Sequence, residues 1–308
     1  MKVYSNIDQL PAFTRAVVTI GTFDGVHLGH QQIIQQLKKE AQRIGGETVL
    51  VTFDPHPRKI VSASPLQLIN TLAEKIELLE KQGINNLVVV PFTAEFSNQS
   101  ANGYIEDFLV SHFHPHTVII GYDHRFGKDR SGDFHLLEKY ARQHAFELIE
   151  IPVHVIEEAS ISSTKIREAL LHGKIEEAAR FLGYDYFFEG LVVEGNKLGR
   201  TIGYPTANLQ LQTPDKLVPG NGVYAVRAEI SVNPGMVYKG MMNIGVRPTV
   251  DGLNRVIEVN IFDFDAAIYG STLRVHLKRY LRGEQKFSGL DALKEQLAKD
   301  RQQAMESL

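Results

Sequence analysis

The residues best suited to phosphate chemistry begin at a glycine- and histidine-rich segment near the N-terminus. Segment 20–30 reads IGTFDGVHLGH, and its three glycines recur at intervals of four: Gly21, Gly25 and Gly29. Glycines let a backbone approach a ligand closely, and His27 and His30, three apart, share one face of a first helical turn. We predict that both imidazoles donate N–H groups to charge developing on a transferred phosphorus. A zinc pair or a plain helix cap is the alternative, although no third zinc ligand lies nearby.

A second segment, ISSTKIR at 161–167, directly precedes a helical run. Hydroxyls at a helix N-terminus bind phosphate oxygens, so we predict that Ser163 and Thr164 do so, with Arg167 adding charge. An ordinary N-cap is the alternative. Paired with the histidine segment, this one is predicted to form the other half of a triphosphate clamp.

Two further segments each follow a predicted strand: TFDPHP at 52–57 and GYDHRFG at 121–127. They therefore fall at the ligand-binding edge of a parallel sheet. We predict that their aromatic side chains stack on a planar ligand and that Asp123 accepts its N–H groups. A structural turn is the alternative for each segment.

In the second half of the chain, KLGRTIGYPTAN at 197–208 carries two chemical features. Gly199 and Gly203 bracket a loop that can fold over phosphates, with backbone N–H groups as donors. Thr206 and Asn208 are two apart, so both oxygens point the same way in an extended segment. Such hard oxygen donors suit magnesium that bridges nucleotide phosphates. The alternative is a hairpin turn with a hydrogen-bonded asparagine.

Glu258 is the candidate base of the second half. Alternation puts it on the strand face opposite Ile257, Val259 and Ile261. A carboxylate inside or at the mouth of a barrel can take a proton from a substrate hydroxyl. A solvent-facing strand residue is the alternative.

Before Gly183, short apolar runs alternate with helical stretches, which predicts a parallel sheet covered on both faces. The predicted strands are 16–21, 48–53, 87–92, 117–121 and 147–153, and the predicted helices are 30–45, 72–82, 104–113 and 134–145. A helical stretch, 164–182, leads into the second half. We predict a first domain of residues 1–183 with a doubly wound α/β fold.

After Gly183 the pattern changes to alternation over 222–230, 256–262 and 272–281. Several such strands, separated by Gly, Pro and Asn turns, predict a small antiparallel β-barrel. A terminal helix from Leu290 to about Ala304 is predicted to pack on it. This second domain would span residues 184–308.

Composition narrows the possible partners and cofactors. The 308 residues carry a net charge of −3, and neither predicted domain is basic, so nucleic acid is not an expected partner. The absence of cysteine excludes disulfides and thiolate metal sites, which favours magnesium-type sites. No signal-peptide core or membrane-spanning run is visible, so we expect a cytoplasmic protein without a membrane partner; an oligomer is possible but not indicated.

The first four segments together resemble the nucleotidylyltransferase superfamily, and more closely the adenylyltransferase domain of the bifunctional bacterial riboflavin kinase/FAD synthetase family. GRTIGYPTANL, GVYAV, MMNIGVRPT and IEVNIFDFD, in this order, resemble the kinase module of the same family. The resemblance covers roughly residues 16–301. His124 departs from the family's usual aromatic residue, and Asn260 from its more common histidine.

The resemblance implies a transferase that phosphorylates riboflavin with MgATP to FMN and then adenylylates FMN with a second MgATP to FAD and pyrophosphate. It implies that Glu258 is the kinase base and that Thr206 and Asn208 hold Mg²⁺. The ATP-binding residues are predicted to be Gly21, Phe23, Gly25, Gly29, Ser163, Thr164, Arg167, Gly199, Arg200 and Gly203. The flavin-binding residues are predicted to be Phe53, Asp54, His56, Asp123 and Phe126.

Two alternatives remain open at this point. The departures at His124 and Asn260 allow an enzyme with only one active site. A non-catalytic flavin-binding regulator is the second alternative, against which the retained histidine, hydroxyl and carboxylate motifs argue.

Overall fold

The computed structural model describes residues 1–62, 65–122, 124–151, 161–195, 198–249 and 252–308. Its first half is built on a six-stranded sheet in which every described pairing is parallel, in the order β1-β4-β3-β2-β5-β6. The strands are β1 (Lys2–Tyr4), β2 (Val17–Ile20), β3 (Thr48–Asp54), β4 (Asn86–Pro91), β5 (Thr117–Gly121) and β6 (Glu147–Ile151). The strands β2 to β5 are almost wholly buried, which explains their continuous apolar sequences.

Helices surround this sheet, as the alternating sequence pattern predicts. They are α1 (Leu28–Ile44), α2 (Pro57–Val61), α3 (Leu72–Lys81), α4 (Ala94–Ser97), α5 (Ala101–Gly103), α6 (Ser111–Phe113) and α7 (Phe134–His144). A π-helical stretch, Tyr104–Val110, joins α5 to α6. The chain runs outward from β2 to β4 and then returns to the other side of β2 at β5. The carboxyl ends of β2 and β5 therefore form the switch point where doubly wound sheets bind ligands.

The second half contains a closed six-stranded barrel, in the order β10-β11-β8-β7-β12-β9. Its strands are β7 (Phe187–Val193), β8 (Ala207–Gln210), β9 (Gly222–Ile230), β10 (Val237–Thr249), β11 (Gly252–Ile261) and β12 (Thr272–Arg282). The described pairings are all antiparallel. Cross-strand pairs such as Leu277–Val226 and Val259–Met242 put the alternating apolar residues in the barrel interior.

In the described residues of this half, the helices are α8 (Ser163–Leu171), α9 (Ile175–Leu182), α10 (Leu198–Thr201) and α11 (Leu290–Ser307). The predicted helical stretch 164–182 is two helices, because Gly173 between them adopts a left-handed φ of 71°. α11 packs on the outside of the barrel through Leu297 and Ala304, which contact Ala225 and Met241. The predicted fold class, an α/β domain followed by a barrel with a terminal helix, is confirmed.

By its internal contacts the chain divides into two compact units, Met1–Ser163 and Thr164–Leu308. Helix α8 is joined to the segment before β9 by a hydrogen bond from the Gly220 backbone N–H to the Leu170 carbonyl, 3.0 Å. The functional boundary after residue 183 stays a prediction. No helix in the part of the chain described here is long and apolar enough to cross a membrane.

Candidate functional sites

The turn after β2 holds the glycine- and histidine-rich segment in a strained conformation at the switch point. Phe23 and Val26 adopt left-handed φ angles of 46° and 38°, and Gly25 one of 92°. Non-glycine residues rarely take such angles, and they persist where the surrounding structure enforces them. The backbone between the end of β2 and the start of α1 is thus folded into a tight, defined shape.

His27 and His30 lie side by side at the start of α1. His27 is the N-cap: its ring nitrogen Nδ1 accepts a hydrogen bond from the His30 backbone N–H, 3.4 Å. The two rings are stacked with centroids 3.6 Å apart. The free N–H groups of the first turn of α1 and its macrodipole make this end of the helix suited to an anion.

The environment of His30 favours its neutral form. Burial lowers its pKa well below the ordinary value, and the neighbouring His27 and Lys75 lower it further. Its Nδ1 is buried and has no hydrogen-bond partner. A neutral imidazole still carries one N–H donor, so His30 can donate a hydrogen bond to a phosphate oxygen.

Ser163, a predicted member of the triphosphate clamp, is hydrogen-bonded to the strained turn. Its hydroxyl donates to the backbone carbonyl of Asp24, 2.9 Å. The Asp24 carboxylate is buried and accepts from the backbone N–H groups of Ile69 and Asn70, at 3.0 and 3.3 Å. Asp24 therefore connects the first and second predicted phosphate segments. Thr164 and Arg167, the other predicted members of the clamp, lie in the second unit, on α8.

Lys75, on α3, is a functional candidate that the sequence analysis missed. Its ammonium group donates to the Thr22 carbonyl in the turn, 2.8 Å, and to the Thr52 hydroxyl on β3, 3.3 Å. The apolar residues Leu78 and Leu79 lie on the buried side of this helix. Lys75 precedes them by three and four residues, so it lies on the same side. That spacing is the signal by which a buried lysine could have been found.

The predicted flavin residues of the first unit have different exposures. Phe53 and Phe126 are only 8% and 5% exposed and pack against other rings, Phe53 against Phe92 and Phe126 against Tyr104. Asp54, by contrast, is exposed at the end of β3. Little of either ring is therefore exposed for contact with a ligand. His56 is buried as the N-cap of α2, and its Nδ1 accepts from the Arg58 backbone N–H, 3.1 Å. Asp123 lies outside the described residues.

In the second unit, the predicted base and metal ligands lie on, or directly before, two neighbouring strands of the barrel wall. Glu258 on β11 pairs across the sheet with Asn208 on β8 and with Asn243 on β10. Thr206 directly precedes β8, and it lines a cavity together with Glu258. The pairing of β8 with β11 thus brings Glu258 close to Asn208 and Thr206.

The face of β11 that carries Glu258 is the outer face of the barrel, and not the interior or the mouth expected from the sequence. Met241, which lies across from Asn260 on the same face, packs in the cluster that includes Leu297 of α11. A cavity of about 310 Å³ lies between this face and α11. Its lining includes Glu258, Thr206, Met241, Phe287 and Leu293. Alternation identifies the two faces of a strand but not which face a distant helix covers.

The loop that precedes Thr206 is held by backbone and side-chain hydrogen bonds. The Tyr204 N–H donates to the Gly199 carbonyl, 2.8 Å, and the Asn260 amide donates to the Pro205 carbonyl, 2.6 Å. Asn260 therefore fixes the chain directly before Thr206. Gly203 has a φ of 86°, which glycine adopts without strain.

A second cavity, of about 60 Å³, adjoins the other side of Thr206. Arg200, Phe264 and Tyr269 contribute to its lining. Gly199 lines the larger cavity and Arg200 the smaller one, so Thr206 stands where the two cavities approach each other.

A divalent metal fits the donor set at this position. The Thr206 hydroxyl and the Asn208 amide oxygen are hard donors, and Mg²⁺ commonly takes only one or two protein ligands, with phosphates and waters completing its shell. Among the residues that the structure describes, no cluster of three His, Asp or Glu side chains offers a fully protein-built metal site. Thr206 and Asn208 are thus suited to a metal that arrives with a nucleotide.

Comparison with known proteins identifies both halves of the chain. The family model described as FAD synthetase matches residues 10–165, and the one described as riboflavin kinase matches residues 182–308. The helical segment between them, 166–181, belongs to neither match.

The chain is also similar over nearly its full length to curated proteins named bifunctional riboflavin kinase/FMN adenylyltransferase. The one from Haemophilus influenzae is 38% identical, with 92% of this chain and 91% of that protein covered. The one from Escherichia coli K12 is 36% identical, with 98% and 95% covered. A crystal structure titled macrolide-efflux protein from Streptococcus pneumoniae has a TM-score of 0.88 and 33% identity, and 98% of each chain is covered. On these matches and the geometry of its two sites, the chain belongs to the family of bifunctional riboflavin kinase/FMN adenylyltransferases.

Proposed function

We propose that this chain carries out two consecutive transfers, riboflavin to FMN in the barrel unit and FMN to FAD in the α/β unit. The tandem family matches support the two activities. The observation that carries the assignment of residues is the cross-strand pairing of Glu258 with Asn208, beside a cavity of about 310 Å³ that Glu258 and Thr206 line. That volume lies in the range of small-molecule sites.

In the barrel unit, riboflavin occupies the cavity between the outer barrel face and α11, where Met241, Phe287 and Leu293 provide apolar contacts for its ring system. The nucleotide phosphates lie under the loop of Gly199, Arg200 and Gly203, on the other side of Thr206. Glu258 accepts the proton of the 5′-hydroxyl as that oxygen bonds to the γ-phosphorus, and the bond from γ-phosphorus to the ADP oxygen breaks.

Thr206 and Asn208 are the protein ligands of Mg²⁺ in this proposal. A bound Mg²⁺ would neutralise charge on the β- and γ-phosphate oxygens. Through that ion, the Thr206 hydroxyl and the Asn208 amide would orient the phosphates relative to Glu258. Glu258 lies on the strand that pairs with the strand of Asn208.

In the α/β unit, a phosphate oxygen of FMN bonds to the α-phosphorus of a second ATP, and pyrophosphate leaves. His27, His30 and the first turn of α1 stabilise the charge on the phosphate oxygens. Gly21, Phe23, Gly25 and Gly29 shape the backbone around the nucleotide, and Ser163, Thr164 and Arg167 bind its phosphates. Alignment and charge stabilisation suffice, because the nucleophile is the substrate's own phosphate.

The flavin of FMN is bound by Phe53, Asp54, His56, Asp123 and Phe126 in this proposal. The exposed carboxylate of Asp54 at the carboxyl end of β3 supports it, since this edge of the sheet carries the other predicted segments. We also propose a cytoplasmic location, where ATP is available to both sites.

The test is a time course of products, separated by HPLC, from riboflavin and MgATP. FMN followed by FAD is expected. If FMN forms without FAD, the protein is a kinase with an inactive first unit. If FAD forms only from added FMN, it is an adenylyltransferase. If no product forms, a flavin-binding regulator is favoured.

Single-site variants then assign the residues. We predict that His30→Ala abolishes FAD formation from FMN and spares FMN formation from riboflavin, because the two sites use different residues. Glu258→Ala is predicted to do the reverse. Equal loss of both activities in either variant would contradict two independent sites.

A further inference from the structure

Lys75 is a buried cation to which the proposed reactions give no role. It is 5% exposed, and among the described residues its hydrogen-bond partners are the Thr22 carbonyl and the Thr52 hydroxyl, with no carboxylate among them. Burial of an ammonium group without a paired carboxylate is costly. A lysine kept in such a place therefore needs a reason beyond packing, since an apolar side chain of similar length would fill the same space.

The position of its ammonium group supplies a structural reason. Thr22 directly precedes the strained turn, where Phe23 and Val26 have left-handed φ angles. The Thr52 hydroxyl also donates to the Thr22 carbonyl, 3.1 Å. Two donors from different elements, α3 and β3, thus converge on one carbonyl oxygen. Strained backbone of this kind persists only where neighbouring contacts enforce it.

The charge of Lys75 also acts on the histidine pair. Burial lowers the pKa of Lys75, and the smaller effects of Asp24 and Asp54 act in the opposite direction. Lys75 in turn contributes to the low pKa of His30, after burial and His27. On its own helix the nearby buried carboxylate, Glu74, is engaged at the N-cap of α3 with Thr71.

We propose that Lys75 is a positioning residue of the adenylyl-transfer site: its ammonium group fixes the Thr22 carbonyl, and through it the turn that presents His27 and His30. The ammonium group also places a positive charge near His30, which favours the neutral form of that imidazole. The inference rests on the proposed adenylyl transfer, whereas the burial and the hydrogen bonds of Lys75 are independent of that function.

The test compares Lys75→Met, Lys75→Gln and Lys75→Arg with the control Lys81→Met. Methionine keeps the length of the side chain without charge or donor, glutamine keeps a donor, and arginine keeps the charge. Lys81 lies on the same helix but is exposed and pairs with Glu77, 2.7 Å. FAD formation from FMN and MgATP gives kcat and KM. A titration of the His30 imidazole by NMR, assigned with His30→Gln, gives its pKa directly.

For Lys75→Met we expect kcat of adenylyl transfer to fall about a hundredfold, as for small displacements of reacting groups, with KM for ATP changed far less. The pKa of His30 is expected to rise, because a positive charge that opposes its protonation is removed. Lys75→Gln should recover part of kcat but show the same raised His30 pKa, whereas Lys75→Arg should keep that pKa low. Lys81→Met should match the unchanged protein in both measurements.

Unchanged kcat and an unchanged His30 titration in Lys75→Met would overturn the proposal. So would equal effects of Lys75→Met and Lys81→Met. If Lys75→Met does not fold, judged by circular dichroism, the comparison of Lys75→Gln with Lys75→Arg carries the same test, and equal His30 pKa values in the two would overturn it. Failure of the proposed function itself is distinguishable, because it would abolish FAD formation in the unchanged protein.

Discussion

At the scale of single residues, both sites depend on side chains held by close backbone contacts. His30 is positioned because His27 caps the helix and stacks on its ring at 3.6 Å. Asn208 is positioned in a similar way, since the backbone of Gly195 lies directly against its side-chain amide. A Cβ at position 195 would overlap that amide, so the glycine leaves the space that Asn208 occupies.

This close approach predicts the effect of Gly195→Ala. The added methyl group must displace the Asn208 amide, which is proposed to hold Mg²⁺, so kcat/KM for riboflavin phosphorylation should fall about a hundredfold. FAD formation from added FMN should be unchanged. Gly289→Ala is the matched control, because a Cβ there meets no atom within 4 Å and the backbone is extended. Initial rates for both reactions check the prediction, and equal rates in the two variants would contradict it.

At the scale of elements, α11 closes the cavity of the barrel unit and is attached by a buried ion pair. The Arg282 guanidinium at the end of β12 donates through Nε and Nη2 to the Asp300 carboxylate, at distances from 2.7 to 3.1 Å. Gln296, one turn earlier on α11, also donates to Asp300, 2.8 Å. The side chains of Arg282 and Asp300 are 15% and 0% exposed, so removal of one partner leaves an uncompensated charge.

For Asp300→Ala we expect the barrel unit to lose about 3 kcal/mol of unfolding free energy, typical of a broken buried pair. KM for riboflavin should rise, because α11 lines its proposed cavity. The neighbouring pair of Arg301 and Asp263 is a control, since its side chains are 40% and 77% exposed. Asp263→Ala should cost at most about 1 kcal/mol. Denaturant unfolding followed by a barrel-unit signal measures both, and similar losses would refute the buried-pair explanation.

The elements also show what could be read from the sequence. The inner strands of the sheet were predictable because both of their faces are buried, which makes them continuously apolar. Strand β1 was missed, since it is a three-residue edge strand with two exposed residues. Alternation identified the face that carries Glu258, but the coverage of that face by α11 depends on a contact distant in sequence. Lys75 was missed because a lysine on an amphipathic helix usually indicates the solvent side.

At the scale of the whole molecule, two units with different folds carry two reactions that share one compound. FMN is the product of the reaction proposed for the barrel and the substrate of the reaction proposed for the α/β unit. The residues proposed for the kinase step all lie within Thr164–Leu308, whereas most residues proposed for adenylyl transfer, including His27, His30 and Ser163, lie within Met1–Ser163; Thr164 and Arg167, on α8, are the exceptions. A substitution in one set therefore leaves the residues of the other unchanged.

This separation predicts that two inactivated variants complement each other when mixed. Neither His30→Ala nor Glu258→Ala alone should convert riboflavin to FAD, but a mixture should, because FMN released by the first can be adenylylated by the second. FAD should appear after a lag that shortens as the concentration of Glu258→Ala rises, since that variant consumes the free FMN. HPLC time courses at several mixing ratios measure the lag. A mixture that accumulates FMN without FAD, while Glu258→Ala still converts added FMN, would show that released FMN is not the compound passed between the sites.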